Sequence, residues 1–229
     1  MIKLFITATD TDAGKTYVAQ VLTSALVAHN YRVAVFKPIS AGCRLVHLPE
    51  GDTLINEDAE QLMHQSNCSQ SITEINPIAF EPAIAPHIAA KLIATEIKIS
   101  EIHDSYKRIE NRSSNLIITE GAGGWRLPLG NGKFLSEFVQ LTQQKVILVV
   151  NMKLGCLNHA VLTYESIIAD GLDCLGWVAN CPEPMAFLSE NITELTALIS
   201  APLIGQLKFE TDIKKAAAAV NIKAITSLL

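Results

Sequence analysis

Nine residues do most to limit what this chain can become: Ala8-Thr9-Asp10-Thr11-Asp12-Ala13-Gly14-Lys15-Thr16. An apolar run at residues 2–7 precedes them and reads as a buried strand. Residues 17–28 follow, with apolar side chains at 18, 19, 22, 25 and 26, and read as a helix. A strand, a turn and a helix opening on Gly-Lys-Thr form the setting of a phosphate-binding loop. Its backbone N–H groups and the helix N-terminus face an anion, Lys15 adds a full positive charge, and the Thr16 hydroxyl can ligate magnesium. The usual spacing has glycine at position 9, where this chain has Thr9, so an ordinary turn with a solvated lysine is the competing reading.

Beyond the loop, apolar runs alternate with helical patterns. Strands are expected at residues 32–36, 115–119, 145–150, 174–179 and 203–206. Helices are expected at 57–64, 87–94, 101–112, 135–141, 159–169, 185–199 and 221–229, with loops at Asn76-Pro77 and residues 82–86. This alternation predicts an α/β fold, a mostly parallel sheet with helices on both faces, like a P-loop NTPase. No linker or repeat interrupts it, so residues 1–229 read as one domain.

Composition narrows the function classes. With 49% apolar and 18% charged residues, the chain has material for a core and lacks the signature of disorder. A net charge of −5 and the lack of any basic run argue against a nucleic-acid partner. The first residues pass into a polar loop too early for a signal peptide, and the longest strongly apolar run, 146–150, is far short of a membrane span. The expectation is a soluble, cytoplasmic protein without a membrane partner. The five cysteines (43, 68, 156, 174, 181) have no C-x-x-C spacing and read as reduced packing thiols.

In parallel sheets ligands gather at the carboxyl ends of the strands. Here those ends deliver the phosphate loop, Lys37, Glu120, the segment Lys153 to Asn158, and Asn180, with Asp58 brought by the loop after Lys37. Two lysines, two carboxylates and a glycine-rich loop on one edge suit magnesium–nucleotide chemistry, with Thr16, Asp58 and Glu120 as hard oxygen ligands. Each has a plainer alternative. Glu120 could be a surface acid at a strand end, and Asp58 could complement the dipole of its own helix. Lys37 could snorkel to solvent, and Asn158 could simply cap a helix starting at His159.

Taken together, the pieces resemble the dethiobiotin synthetase family. They are residues 9–16, Lys37-Pro38, Asn76-Pro77, Pro86-His87, Glu120-Gly-Ala-Gly-Gly-Trp125, Lys153-Leu-Gly-Cys-Leu-Asn158-His159 and Gly176-Trp-Val-Ala-Asn180, in the family's order. The resemblance implies a homodimeric enzyme that uses MgATP and CO2 (or bicarbonate) to close a ureido ring on 7,8-diaminopelargonate, through a carbamate and a carbamic-phosphoric anhydride. It also implies roles by position. Thr16, Asp58 and Glu120 would hold magnesium, and Lys15, Lys37 and Thr11 would serve the chemistry. Asp12, Ala13, Gly14, Tyr17, Gly121, Ala122, Gly123, Asn180 and Leu207 would join Lys15, Thr16, Asp58 and Glu120 at the nucleotide. Ser40 and Ala41 would join Thr11 at the substrate, while Gly155, Cys156, Leu157 and Asn158 would take its carboxylate from the neighbouring subunit. The chain departs from the family at Ala8, which replaces a glycine and needs an allowed φ. It departs also at Ala41, which replaces a hydroxyl residue, at Pro82, and at Lys208, where a proline is usual. The alternative is a nucleotide switch of the same architecture, a partition ATPase or metallochaperone GTPase, but these carry a lysine where this chain has Asp10.

Overall fold

The computed structural model describes residues 1–48, 51–218 and 220–227. Six strands make the central sheet: β1 (Ile2–Ala8), β2 (Val33–Phe36), β3 (Leu116–Glu120), β4 (Lys145–Asn151), β5 (Cys174–Cys181) and β6 (Leu203–Lys208). They lie in the order β6-β5-β4-β1-β3-β2, and every pairing between them is parallel. Both faces of this sheet are covered, which is why its strands are near-continuous apolar runs. All five residues of β3 are buried, as are all four of β2. From β1 the chain travels outward to β2, returns to β3 and crosses to β4 on the other side of β1. The strand order therefore reverses at the carboxyl end of β1, where a crevice opens.

The two-residue period of a strand sorts side chains between the faces. Leu4, Ile6, Val33, Val35, Leu116 and Ile118 pack under helix α1 (Lys15–Ala28), the helix Glu57–Gln65 and two C-terminal helices. Phe5, Phe36 and Ile117 face the opposite layer, formed by the helices Ile99–Glu110 and Leu135–Thr142. The centre of that layer is aromatic: Tyr106 and Phe138 meet edge to face at 5.4 Å, and Phe36 lies 5.5 Å from Tyr106. Leu148, Val150, Trp177 and Ala179 form a third cluster with the helices Cys156–Ala169 and Leu188–Leu198.

The expected architecture is present, and the departures are local. A helix anticipated from 185 begins at Leu188, because Phe187 sits in the left-handed region at φ 55° and cannot continue a helical turn. Arg44–Leu48 and Gly51–Ile55 pair as an antiparallel ribbon that periodicity does not reveal. Its side chains are mostly solvated, Leu45 among them at 48% exposure, so no buried face imposes alternation. The closing helix expected over 221–229 spans Ile222–Thr226; Leu228 and Leu229 lie outside the described residues. A further short helix, Ile213–Ala218, was not expected.

Phe138 is fully buried between Phe36 and Tyr106. Its replacement by alanine should cost about 3–5 kcal/mol of stability, the range for deleting a buried aromatic ring. Urea denaturation followed by circular dichroism measures this.

Candidate functional site

Strand parity places the site. Lys37 has the parity of Val33 and Val35, Glu120 that of Leu116 and Ile118, and Asn180 that of Val178, so all three project toward the α1 face. There they meet the loop leaving β1. This loop turns back on itself through two left-handed residues, Asp12 at φ 55° and Gly14 at φ 89°. Ala8 carries no such burden: it ends β1, fully buried, and its φ is not positive. Gly14 allows nothing larger, because a Cβ there would lie 2.1 Å from Asn180 Nδ2. That amide donates to the Ala13 carbonyl at 3.0 Å, so β5 holds the floor of the loop. Gly14 has no side chain with which to cap α1, leaving the helix N-terminus open to an anion.

Above this floor four side chains form one charged network. The Lys37 ammonium donates to Asp58 Oδ2 at 2.6 Å and to Glu120 Oε1 at 2.8 Å. The Thr16 hydroxyl donates to the same Glu120 oxygen at 2.7 Å. Lys37 is 4% exposed and Glu120 is fully buried, so the structure excludes both a snorkelling lysine and a surface acid. Burial pulls the Lys37 amine down, but the Glu120 and Asp58 carboxylates outweigh it and hold it above the ordinary lysine value. Burial pushes Asp58 up, and Lys37 prevails to keep that carboxyl low. Lys15 is drawn below its ordinary value by burial, against the pull of Glu120. Its ammonium donates to the Asp10 carbonyl at 3.1 Å.

These groups line a cleft of about 930 Å³ that also brings in Thr11, Asp12, Ser40, Ala41, Ala122 and Gly123. Ser40 lies in its wall, although its hydroxyl already donates to Asn76 Oδ1 at 2.6 Å. Asn76 in turn donates to the Lys37 carbonyl at 2.7 Å, fixing the backbone under the lysine. Sequence reasoning missed Asn56, Ile84, Ala85 and Leu127 in the same wall. Asn56 had a readable signal: it precedes Glu57-Asp58 and accepts from the Ala59 N–H, as an N-cap does.

Other expected residues lie elsewhere. Tyr17 joins α1 to the end of β6: its hydroxyl donates to the Lys208 carbonyl at 2.9 Å and accepts from the Glu210 N–H at 3.0 Å, with the Phe209 ring 5.5 Å away. Leu207 lies beside Asn180 in the β5–β6 register. Gly155 to Asn158 do not line the cleft. The cap expected at Asn158 is corrected: the helix begins at Cys156, and Gly155, at φ 93°, is the capping residue. A left-handed backbone there calls for glycine rather than a side-chain oxygen, so Asn158 lies within the first turn, exposed. The Cys156 side chain is buried, which leaves only its backbone available to a ligand.

Magnesium fits the donor set. Thr16, Asp58 and Glu120 offer hard oxygens, and Glu120 Oε2 is buried without a hydrogen-bond partner. Among the described residues no cluster of three or more His, Cys, Asp or Glu could hold a metal. Two carboxylates and a hydroxyl suit an ion that also binds phosphate oxygens.

Comparison with known proteins follows this geometry. A family model described as "AAA domain" matches residues 3–217. The "ATP-dependent dethiobiotin synthetase BioD" of Aeromonas salmonicida is 45% identical over 211 residues, covering 91% of this chain and 92% of the relative. The protein of the same name from Pseudoalteromonas translucida is 42% identical over 205 residues, 89% of this chain and 88% of its own. The fold is similar to that of the Pyrococcus furiosus cell division ATPase MinD, with TM-score 0.60, 15% identity and full coverage of both chains. A ParA family ATPase from Chlorobium tepidum has TM-score 0.55 and 13% identity, covering all of this chain and 93% of its own. At such identities these two speak only for the fold.

Asp58 supplies a pH test. Its folded-state carboxyl lies below its ordinary value of 3.8, so the stability it contributes is complete above pH 3.8 and lost as pH falls through the lowered folded value. The melting-temperature gap between the protein and Asp58→Asn should therefore be constant near neutrality and shrink below pH 3.8. Calorimetry across that range measures it, and a gap that widens in acid would contradict the pairing.

Proposed function

The chain belongs to the dethiobiotin synthetase family, and we propose that it is an ATP-dependent cyclo-ligase that makes dethiobiotin from 7,8-diaminopelargonate and CO2 in biotin biosynthesis. The observation that carries this reading is the convergence of Lys15, Lys37, Asp58 and Glu120 on the open N-terminus of α1. Such an arrangement suits a reaction in which phosphate and carbamate anions are pressed together, and phosphoryl transfer asks for positioning and charge more than covalent help.

In this reading one substrate amine adds to CO2 and loses a proton, giving a carbamate. A carbamate oxygen takes the γ-phosphoryl group of ATP, and ADP leaves. The second amine then attacks the carbonyl carbon, the C–O bond to phosphate breaks, a proton departs and the ring closes. The α1 N-terminus and Lys15 hold the phosphates, and Lys37 neutralises the carbamate. Thr11 and the Ser40–Ala41 wall position the diamine. Thr16, Asp58 and Glu120 would hold magnesium, which would neutralise phosphate charge. Asn180 Oδ1, buried without a partner, offers an acceptor beside the loop that fits the amino group of adenine. Holding amine and anhydride in contact favours closure, since effective molarities of about 10⁵ M or more are attainable.

The substrate's carboxylate lies at the far end of an aliphatic tail. We assign it to the Gly155–Asn158 helix start of a second subunit in a homodimer. The exposure of that turn supports this, with Leu154 97% exposed, as does its position outside the cleft of its own chain. The reading takes residues 1–229 as one domain, consistent with a sheet whose strands run from Ile2 to Lys208. It also takes the enzyme as cytoplasmic. Among the described residues no helix is long and apolar enough to cross a membrane.

Incubation with diaminopelargonate, ¹³C-bicarbonate and MgATP should give a labelled cyclic urea by mass spectrometry, with one phosphate per ring. Phosphate release that is equally fast without the diamine would point to a plain nucleotidase. The shared site has its own test. Lys15→Ala and Asn158→Leu homodimers should both be nearly inactive, but re-annealed mixtures should regain about a quarter of the activity, since half the dimers are mixed and each has one intact site. A mixture that forms mixed dimers yet stays inactive would place each site within a single chain.

A further inference from the structure

Asp58 and Glu120 already hold a cation, and it is the side chain of Lys37. Its ammonium bridges Asp58 Oδ2 at 2.6 Å and Glu120 Oε1 at 2.8 Å. The Thr16 hydroxyl directs its proton at that same Glu120 oxygen, 2.7 Å away. These are the three side chains that would turn oxygen lone pairs toward a divalent ion. A metal at this place and the ammonium draw on the same oxygens, and two cations held together in a buried site repel strongly. Lys15, by contrast, donates to the Asp10 carbonyl at 3.1 Å and acts on Glu120 and Asp58 through its charge rather than by bridging them.

Among the described residues no group of three or more His, Cys, Asp or Glu could hold a metal, and two carboxylates with one hydroxyl are a weak set for a bare dication. Nucleotide phosphates would add both ligands and negative charge. Meanwhile the backbone under Lys37 is fixed, its N–H donating to the Ile75 carbonyl at 2.8 Å and its carbonyl accepting from Asn76 at 2.7 Å. Any exchange of partners is therefore a side-chain motion.

We propose that Lys37 is a built-in competitor that keeps bare divalent metal off Asp58 and Glu120, so that metal enters only together with nucleotide. Metal bound with nucleotide at these carboxylates would leave the Lys37 ammonium free to face an anionic substrate. This inference rests on the metal site assigned above, and its test separates the two.

The full-length protein without nucleotide is titrated with Mn²⁺, and bound ion is read by electron paramagnetic resonance. Lys37→Met and Lys37→Gln should bind one Mn²⁺ roughly tenfold tighter or more than the wild type, because the two carboxylates lose the ammonium that bridges them. Lys37→Arg, which keeps the charge, should behave as wild type, and adding Asp58→Asn to Lys37→Met should remove the gain. Thermal melting checks that each variant folds, and using two neutral variants protects against one failing. ATP should bring Mn²⁺ onto the wild-type protein. If ATP does so while neither neutral variant gains affinity for the bare ion, or if Lys37→Arg gains as much as Lys37→Met, the competitor role is overturned and the metal site stands. If neither ATP nor loss of Lys37 brings Mn²⁺ to the protein, the metal site itself is wrong and the inference falls with it.

Discussion

A carboxylate with no solvent exposure ends the strand beside β1, and the surroundings of Glu120 are arranged to make that tolerable. An unpaired buried carboxylate costs several kcal/mol or neutralises itself by taking a proton. Here Lys37 and Thr16 offset the cost through one oxygen. That oxygen links three segments distant in sequence: the first turn of α1, the end of β2 and the end of β3. Each is delivered to the same face by the two-residue period of its strand or by the turn after β1. The network is thus a product of parallel-sheet topology, and the crevice at the strand-order reversal is where the topology leaves room for it.

The phosphate loop depends on a second tie. Asn180 reaches across from β5 to the Ala13 carbonyl, and the left-handed Gly14 packs directly on it. Backbone donors can face a ligand only while the loop keeps this curvature, and the curvature rests on glycine at position 14 and its close approach to Asn180 of β5. A further strut holds the glycine-rich turn after β3. Trp125 and Arg126 both donate to Asp170, at the end of the helix Cys156–Ala169.

Much of this was legible in the residues. The loop motif, the apolar runs and the chemistry past each strand end were enough to bring Lys15, Thr16, Lys37, Asp58 and Glu120 to one edge, where the structure finds them. Pattern could not say how they pair. That Lys37 bridges both carboxylates follows from side-chain reach and burial, which periodicity does not encode. The ribbon of Arg44–Leu48 and Gly51–Ile55 left no trace because it has little buried face to alternate. Asn158 misled for a definite reason: asparagine favours caps, but a left-handed Gly155 three residues earlier starts the helix first. Ile84 and Ala85 entered the cleft wall unannounced, since small and aliphatic residues in a proline-rich loop carry no chemical signature.

The Tyr17 hydroxyl donates to the carbonyl of the last residue of β6 and accepts from an N–H two residues past it, more than 190 positions along the chain. The first helix and the last strand are therefore coupled as one rigid corner. The end of β6 is thereby held beside the helical turn that presents the phosphate loop. At Lys208, where the resemblance leads one to expect proline, it is the backbone carbonyl that takes the Tyr17 proton, so a change of side chain there leaves this tie and the charged network intact. The molecule is in this sense modular without being divided: side chains past the end of β6 can change while a phenol and the buried packing of Leu207, Ala216 and Ala217 keep that corner tied to the first helix.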